Sequence, residues 1–203
     1  MTINPKVIDL YHGDTVASFE EVYKAGIRGV IHKATEGQTI LDRSYATRRE
    51  QALDEGLLWG AYHFLRPGNM KAQAQRFLDV AQPSEATLIA VDHEDPKVSL
   101  HNLFDFLTEV AAETGGREGI IYSGFLIKEQ LGSKPTMVLP YRLWLAQYSA
   151  NPKWPSIWEK PFLWQYTGDG SGPEPHSIPG IHGNIDISSF DGSDDDLAKQ
   201  WAS

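Results

Sequence analysis

Leu88-Ile-Ala-Val-Asp92-His93-Glu94 is a run of four apolar residues that leads straight into two carboxylates one residue apart. The apolar part suits a buried strand. Asp95-Pro96 then reads as a turn, and Leu100 to Thr114 carries helical spacing, so the stretch opens a β-then-α unit. The same unit recurs along the chain. Val7 to Leu10 precedes Ser18 to Ala25, with Ser18 as cap and Gly26 as stop; Gly29 to His32 precedes Ser44 to Glu55. Gly60 to Phe64 precedes Met70 to Ala81, Thr87 to Asp92 precedes the helix already named, and Ile120 to Ser123 precedes Phe125 to Gln130. Five such units imply a parallel sheet covered by helices. After about residue 132 the helices stop, and three apolar segments centred on Leu143, Leu163 and Ile185 follow, joined by Pro-, Gly- and Ser-rich stretches. Five strands plus three make the eight that close a barrel, whereas an open doubly wound sheet would continue the alternation. The expected fold is α/β, an irregular TIM-like barrel of five β-α units followed by three strands with few helices.

Alternate residues of a strand share a face, so Asp92 and Glu94 project together. Two acids side by side at the end of a buried strand cannot both ionise freely, which is how a glycosidase obtains a proton donor and a stabilising anion from one residue type. Acids in this position also serve simply to start a loop or cap a helix. The other strand ends decide between the two, because chemistry in such barrels gathers at the C-terminal rim. They read Asp9, Lys33, Tyr62-His63, Tyr122, Gln147-Tyr148, Gln165-Tyr166 and Asp186, a polar or aromatic residue at every strand.

Composition narrows the function further. The 203 residues are 41% hydrophobic, with no linker-like stretch, which fits one substantial core. A net charge of −9 without clustered Lys and Arg argues against a nucleic-acid partner. The absence of Cys excludes a disulfide framework, a thiol nucleophile and a cysteine metal site. The start, Met1 to Lys6, lacks the basic and apolar regions of a secretory signal, and no stretch approaches the roughly 20 apolar residues of a spanning helix. No membrane insertion is expected, and synthesis in the cytoplasm is.

The segments Val7-Ile-Asp9, Lys33-Ala-Thr-Glu-Gly37, Gly60-Ala-Tyr-His-Phe64, Val91-Asp-His-Glu94, Ile121-Tyr122-Ser123, Trp144-Leu-Ala-Gln-Tyr148, Leu163-Trp-Gln-Tyr166 and Gly183-Asn-Ile-Asp186 form an ordered set spanning nearly the whole chain. In this set the chain resembles the family 25 glycoside hydrolases, the muramidases often called Chalaropsis-type lysozymes, which include many phage endolysins. The resemblance implies a barrel of five β-α units and three strands. It also implies hydrolysis of the bond from N-acetylmuramic acid to N-acetylglucosamine in peptidoglycan, with no cofactor and no metal. By motif position Glu94 is the general acid, Asp92 stands beside it, and Asp9 and Asp186 complete an acidic floor.

A glycosidic oxygen leaves only if protonated as its bond breaks, and the developing oxocarbenium ion needs a nearby anion or nucleophile. Asp92, Asp9 and Asp186 are expected to raise the Glu94 pKa by like-charge repulsion. The attacking group is either the substrate's own 2-acetamido oxygen, assisted by Asp92, or a water activated by Asp9 or Asp186. Tyr62, Tyr122, Trp144, Tyr148 and Tyr166 are candidates for stacking on sugars or for core packing alike, and Gln147 and Gln165 for holding sugar amides. Lys33 is a substrate candidate that pairs more readily with Glu36. The loop Leu10-Tyr11-His12-Gly13-Asp14 departs from the Ser-x-x-Gln or Ser-His-Trp-Gln that often follows the first Asp in the family, and His12 reads as a loop residue.

The expected organisation is one catalytic domain over 1–203, the barrel about 5–190 and a capped helix about 191–203, with no separate wall-binding module. The expected state is a monomer, released to the wall by another agent such as a holin. Two rivals stand beside this reading. One is a metal-dependent phosphodiesterase or deacetylase using Asp92, Glu94, His93 and His63; the other is an inactive carbohydrate-binding barrel.

Overall fold

In the computed structural model, which describes residues 2–132 and 140–203, eight strands close into a barrel. They are β1 (Pro5–Leu10), β3 (Gly29–Glu36), β5 (Leu58–Phe64), β6 (Leu88–Asp92), β7 (Ile120–Ser123), β8 (Arg142–Ala146), β9 (Leu163–Thr167) and β11 (Asp186–Ser189). Neighbours from β1 through β3, β5, β6, β7 and β8 to β9 pair in parallel. The last strand reverses: β11 lies antiparallel to both β9 and β1 and joins them. A two-stranded ribbon of β2 (Thr15–Val16) and β10 (Ile181–His182), and the short β4 (Ile40–Leu41) folded back on β3, decorate the barrel.

Helices α1 (Phe19–Lys24), α2 (Tyr45–Asp54), α3 (Met70–Ala81), α4 (Leu100–Glu113) and α5 (Phe125–Leu131) follow the first five parallel strands, as the periodicity predicts. Side-chain oxygens of Ser18, Asn69 and Ser99 cap α1, α3 and α4 by accepting from backbone N–H groups otherwise left without partners. Beyond residue 140 the one helix among the described residues is α6 (Asp194–Gln200), capped by Ser193. The expected end of the helical region falls partly on 133–139, which lie outside the described residues.

Strand parity divides the core in two. Val7, Ile31, Leu88, Ala90, Ile120, Trp144 and Leu163 point into the barrel, whereas Ile8, Val30, Ile89, Val91, Ile121, Leu143 and Trp164 pack beneath the helices. Trp201, just past α6, belongs to the inner set and donates from Nε1 to the Trp59 carbonyl at 2.8 Å, closing the end of the barrel where the parallel strands begin. No described helix is long and apolar enough to cross a membrane.

Candidate active site

The same parity sets the opposite end. Asp9, Lys33, Tyr62, Phe64, Asp92, Glu94, Tyr122, Trp144 and Asp186 line a cavity of about 180 Å³ at the rim where the parallel strands finish. Asp9 and Asp186 are register partners across β1 and β11. Asp186 is the first residue of its strand, not the last, and it reaches this rim because the strand is reversed. A strand has the same alternation read in either direction, so the sequence pattern does not reveal the reversal.

Beneath the acids lies Gln165, fully buried. Its Nε2 donates to Asp9 Oδ1 at 2.9 Å and to Asp186 Oδ2 at 3.2 Å, while its Oε1 accepts from Tyr122 Oη at 2.7 Å and Tyr148 Oη at 3.1 Å. Two hydroxyl donors fix the orientation of the amide, and the amide then holds two carboxyls. With both ends occupied, Gln165 is a support of the acids rather than the sugar contact expected from sequence. Tyr148 closes over Gly168, where a Cβ would collide with its hydroxyl. Trp144 meets the Tyr122 ring edge-on at 4.5 Å and donates to Ser188 Oγ at 2.8 Å.

Two other expected contacts point elsewhere. Tyr166 has the parity opposite to Gln165, so it packs against Trp164 outside the barrel and donates to the Pro175 carbonyl at 3.3 Å. Gln147 likewise has the outward parity of Leu143 and Leu145, and its Oε1 accepts from the Lys153 backbone. Lys33 lines the cavity while bonded to Glu36, whose other oxygen takes the Arg66 guanidinium at 2.8 Å; Arg66 also reaches Asp95 at 3.1 Å. Burial alone would raise the Glu36 pKa, but these two cations outweigh it and hold it low.

Burial raises the other acids. Asp92 is 6% exposed and is pushed well above the usual carboxylate range, first by burial and then by Glu94; Lys33 acts against both. Its Oδ1 has no hydrogen-bond partner among the described residues. Glu94 is raised by burial, and it faces across the pair the same like-charge repulsion that raises Asp92. Asp9 is raised by burial and then by Asp186, against the opposing bond from Gln165. Asp186 is pushed up to about 6 by burial, despite the Asp169 backbone N–H at 3.2 Å from its Oδ1. Asp14 and Asp169, which the strand-end reading does not single out, add negative charge around Asp9 and Asp186. Both stand on loops, outside any strand pattern. Phe64, also not singled out, shares the inward parity of Tyr62.

The two histidines of the metal-site rival turn away from the acids. His63 packs at 4.7 Å on the Phe106 ring, with Nδ1 against Thr35 Oγ1 at 2.7 Å and Nε2 against Gln73 Oε1 at 3.0 Å. His93 is buried, with Nε2 2.8 Å from Gln130 Oε1 on α5. Burial lowers the pKa of both, and for His63 to about 4. His63 is bonded at both ring nitrogens, and His93, held at Nε2, does not line the cavity that Asp92 and Glu94 share.

The model of glycosyl hydrolases family 25 matches residues 8–174. The autolytic lysozyme of Clostridium acetobutylicum is 28% identical over 193 residues, which cover 91% of this chain; the chain spans 55% of that relative's length. The bacterial lysozyme from Streptomyces coelicolor superposes with a TM-score of 0.84 at 25% identity, covering 100% of this chain and 98% of the other. A family GH25 lysozyme from Aspergillus fumigatus superposes at 0.81 with 26% identity and full coverage of both chains. With a family match over most of its length, and a barrel shared from end to end with two lysozymes, the chain belongs to glycosyl hydrolases family 25.

Proposed function

We propose that the protein is an N-acetylmuramidase that cleaves the β-1,4 bond between N-acetylmuramic acid and N-acetylglucosamine in peptidoglycan. The observation that carries this reading is the pair Asp92 and Glu94 lining one cavity at the rim, with Asp92 almost enclosed. The N–H of a sugar 2-acetamido group is a donor of the right kind to meet the carboxyl of Asp92 where it faces that cavity.

Glu94, whose pKa burial raises, gives its proton to the glycosidic oxygen as the bond to C1 breaks. The acetamido oxygen attacks C1 from the other face, and Asp92 stabilises the positive charge that this leaves on the ring nitrogen of the oxazolinium. Water then adds to C1 and returns a proton to Glu94, with retention at the anomeric carbon. Direct inversion would instead need a free carboxylate to activate water. Asp9 and Asp186 each have an oxygen committed to Gln165, which favours the substrate-assisted route. Tyr62, Phe64, Tyr122 and Trp144 supply the walls for a sugar face.

The test is mass spectrometry of borohydride-reduced peptidoglycan digests from the wild type and from Glu94→Gln. Fragments ending in reduced muramic acid, depleted at least about 10²-fold in the mutant, are the expected result on the size of general-acid effects. Fragments ending in reduced glucosamine would overturn the bond assignment, and no products from either protein would favour a binding barrel.

A further inference from the structure

The loop that departs from the family pattern, Leu10 to Asp14, is held at the backbone of Tyr11, His12 and Asp14. Tyr11 N donates to Asp14 Oδ2 at 2.7 Å and Asp14 N returns a bond to the Tyr11 carbonyl at 3.1 Å. Arg48 on α2 donates to the Tyr11 carbonyl at 2.7 Å and also to the Asp14 carbonyl. The buried Asp42 takes His12 from both sides, its Oδ2 accepting from the backbone N at 2.7 Å and lying 3.0 Å from ring Nδ1. Behind Arg48 stands His32, which donates from Nδ1 to the Lys33 carbonyl, accepts from Arg48 at Nε2, and stacks on Trp59 at 5.8 Å.

Two rings of this loop face outward and meet edge-on at 5.2 Å: His12, tied to Asp42, and Tyr11, 46% exposed at the end of β1, two residues past Asp9. The place of Tyr11 is built into the chain. A Cβ on Gly13 would collide with Tyr11 Cζ, Oη and Cε2, so the hydroxyl end of the ring rests against the one residue that leaves it room. The Gly13 backbone itself lies outside the left-handed region, so the requirement for glycine there comes from the ring and not from the main chain. A rigid aromatic plane on a restrained loop loses little freedom when it binds, which is the economy that makes aromatics effective contact surfaces.

We infer that Tyr11, fixed by Arg48 and Asp42 and seated on Gly13, is a stacking platform for the apolar face of a glycan sugar lying outside the acidic cavity. The inference rests on the muramidase reading. Tyr11 sets how tightly the strand is gripped and touches none of the reacting atoms, while Arg48 and Asp42 are positioning residues that act through it.

The experiment measures steady-state kinetics on soluble, peptide-free glycan strands for the wild type, Tyr11→Ala, Tyr11→Trp, Gly13→Ala and the double variant Tyr11→Ala/Gly13→Ala. Tyr11→Ala raises KM about 3- to 10-fold with kcat within about twofold, the range expected of one aromatic stacking contact. Tyr11→Trp retains a wild-type KM. Gly13→Ala displaces an intact ring and raises KM in the same way, and it adds nothing further in the Tyr11→Ala background, because both changes remove one contact. Additive effects of the two substitutions, or an unchanged KM in Tyr11→Ala, overturn the inference, as does a KM effect seen on intact peptidoglycan but absent on peptide-free strands. If the wild type does not cleave the strands at all, the muramidase reading fails instead, so the two failures are distinct.

Discussion

Replacing Asp186 by Asn should make the protein more stable and less active, and the gain in stability should depend on pH. In the folded protein the carboxyl titrates at about 6 rather than 3.8, because burial resists its charge. The folded chain therefore holds a proton that the unfolded chain releases between these values. Its contribution to stability is intact below pH 3.8, is lost as pH rises through about 6, and stays lost above. At about 1.4 kcal/mol per unit, the ionised Asp186 costs about 3 kcal/mol at pH 7.5. Asn removes that cost but can accept only one of the two bonds that Asp186 takes from Gln165 and the Asp169 backbone, a loss of about 1 kcal/mol. The net gain of about 2 kcal/mol corresponds to roughly 4–8 °C in Tm for a chain of this size. Thermal unfolding followed by circular dichroism at pH 7.5 and at pH 4 measures it. At pH 4 the wild-type carboxyl is itself protonated, and the advantage should vanish or reverse. A Tm difference of the same size at both pH values would refute the claim that an ionised, desolvated Asp186 strains the native state. Such a trade of stability for function is common where a site must hold like charges together.

Gln165→Met, which keeps the volume but leaves two acids and two tyrosine hydroxyls without their bridge, should lower kcat about 10²-fold through misplacement of the acids. Steady-state assay beside a thermal melt would show whether the loss exceeds simple unfolding. Gly168→Ala should push Tyr148 off Gln165, and a fall in kcat of about tenfold with little change in KM is expected for a displaced support. Incubation with a chelator should leave turnover on glycan strands unchanged, since neither His63 nor His93 lines the cavity beside Asp92 and Glu94; loss of activity restored by a divalent ion would reopen the metal-dependent reading.

Much of the barrel was legible because its five β-α units keep strict periods and carry their own stop and start signals. The reading ended β3 at His32, whereas the strand runs on to Glu36, paired with β5 as far as Phe64. Polar residues such as Lys33 and Glu36 look like loop in sequence, yet at a rim they are strand residues whose charges pair with each other. Parity, applied strictly, would have separated Gln165 from Tyr166 and turned Gln147 outward, because both errors came from treating each strand end as a pair of equal candidates. Other features left no trace in any pattern. The hub at Gln165 depends on four partners distant in sequence, and Asp42 and Arg48 look like ordinary solvated charges until the fold brings the Leu10 to Asp14 loop against them.

The reversed final strand has a bearing on when the enzyme can exist at all. Asp9 and Gln165 are separated by 156 residues, and Asp186, whose strand closes the ring against β1, comes later still. A ribosome-bound chain short of that strand has a barrel with a seam and lacks Asp186, the partner of Asp9 in the acidic floor. Asp9 and Asp186, which repel one another in the finished site, are thus brought together only by the last closure, after most of the apolar core is available to hold them. Incomplete or clipped chains lacking this strand would carry the aromatic walls and Glu94 but not the assembled floor. For the proposed wall hydrolase, that arrangement ties the completed acidic floor to the completed fold.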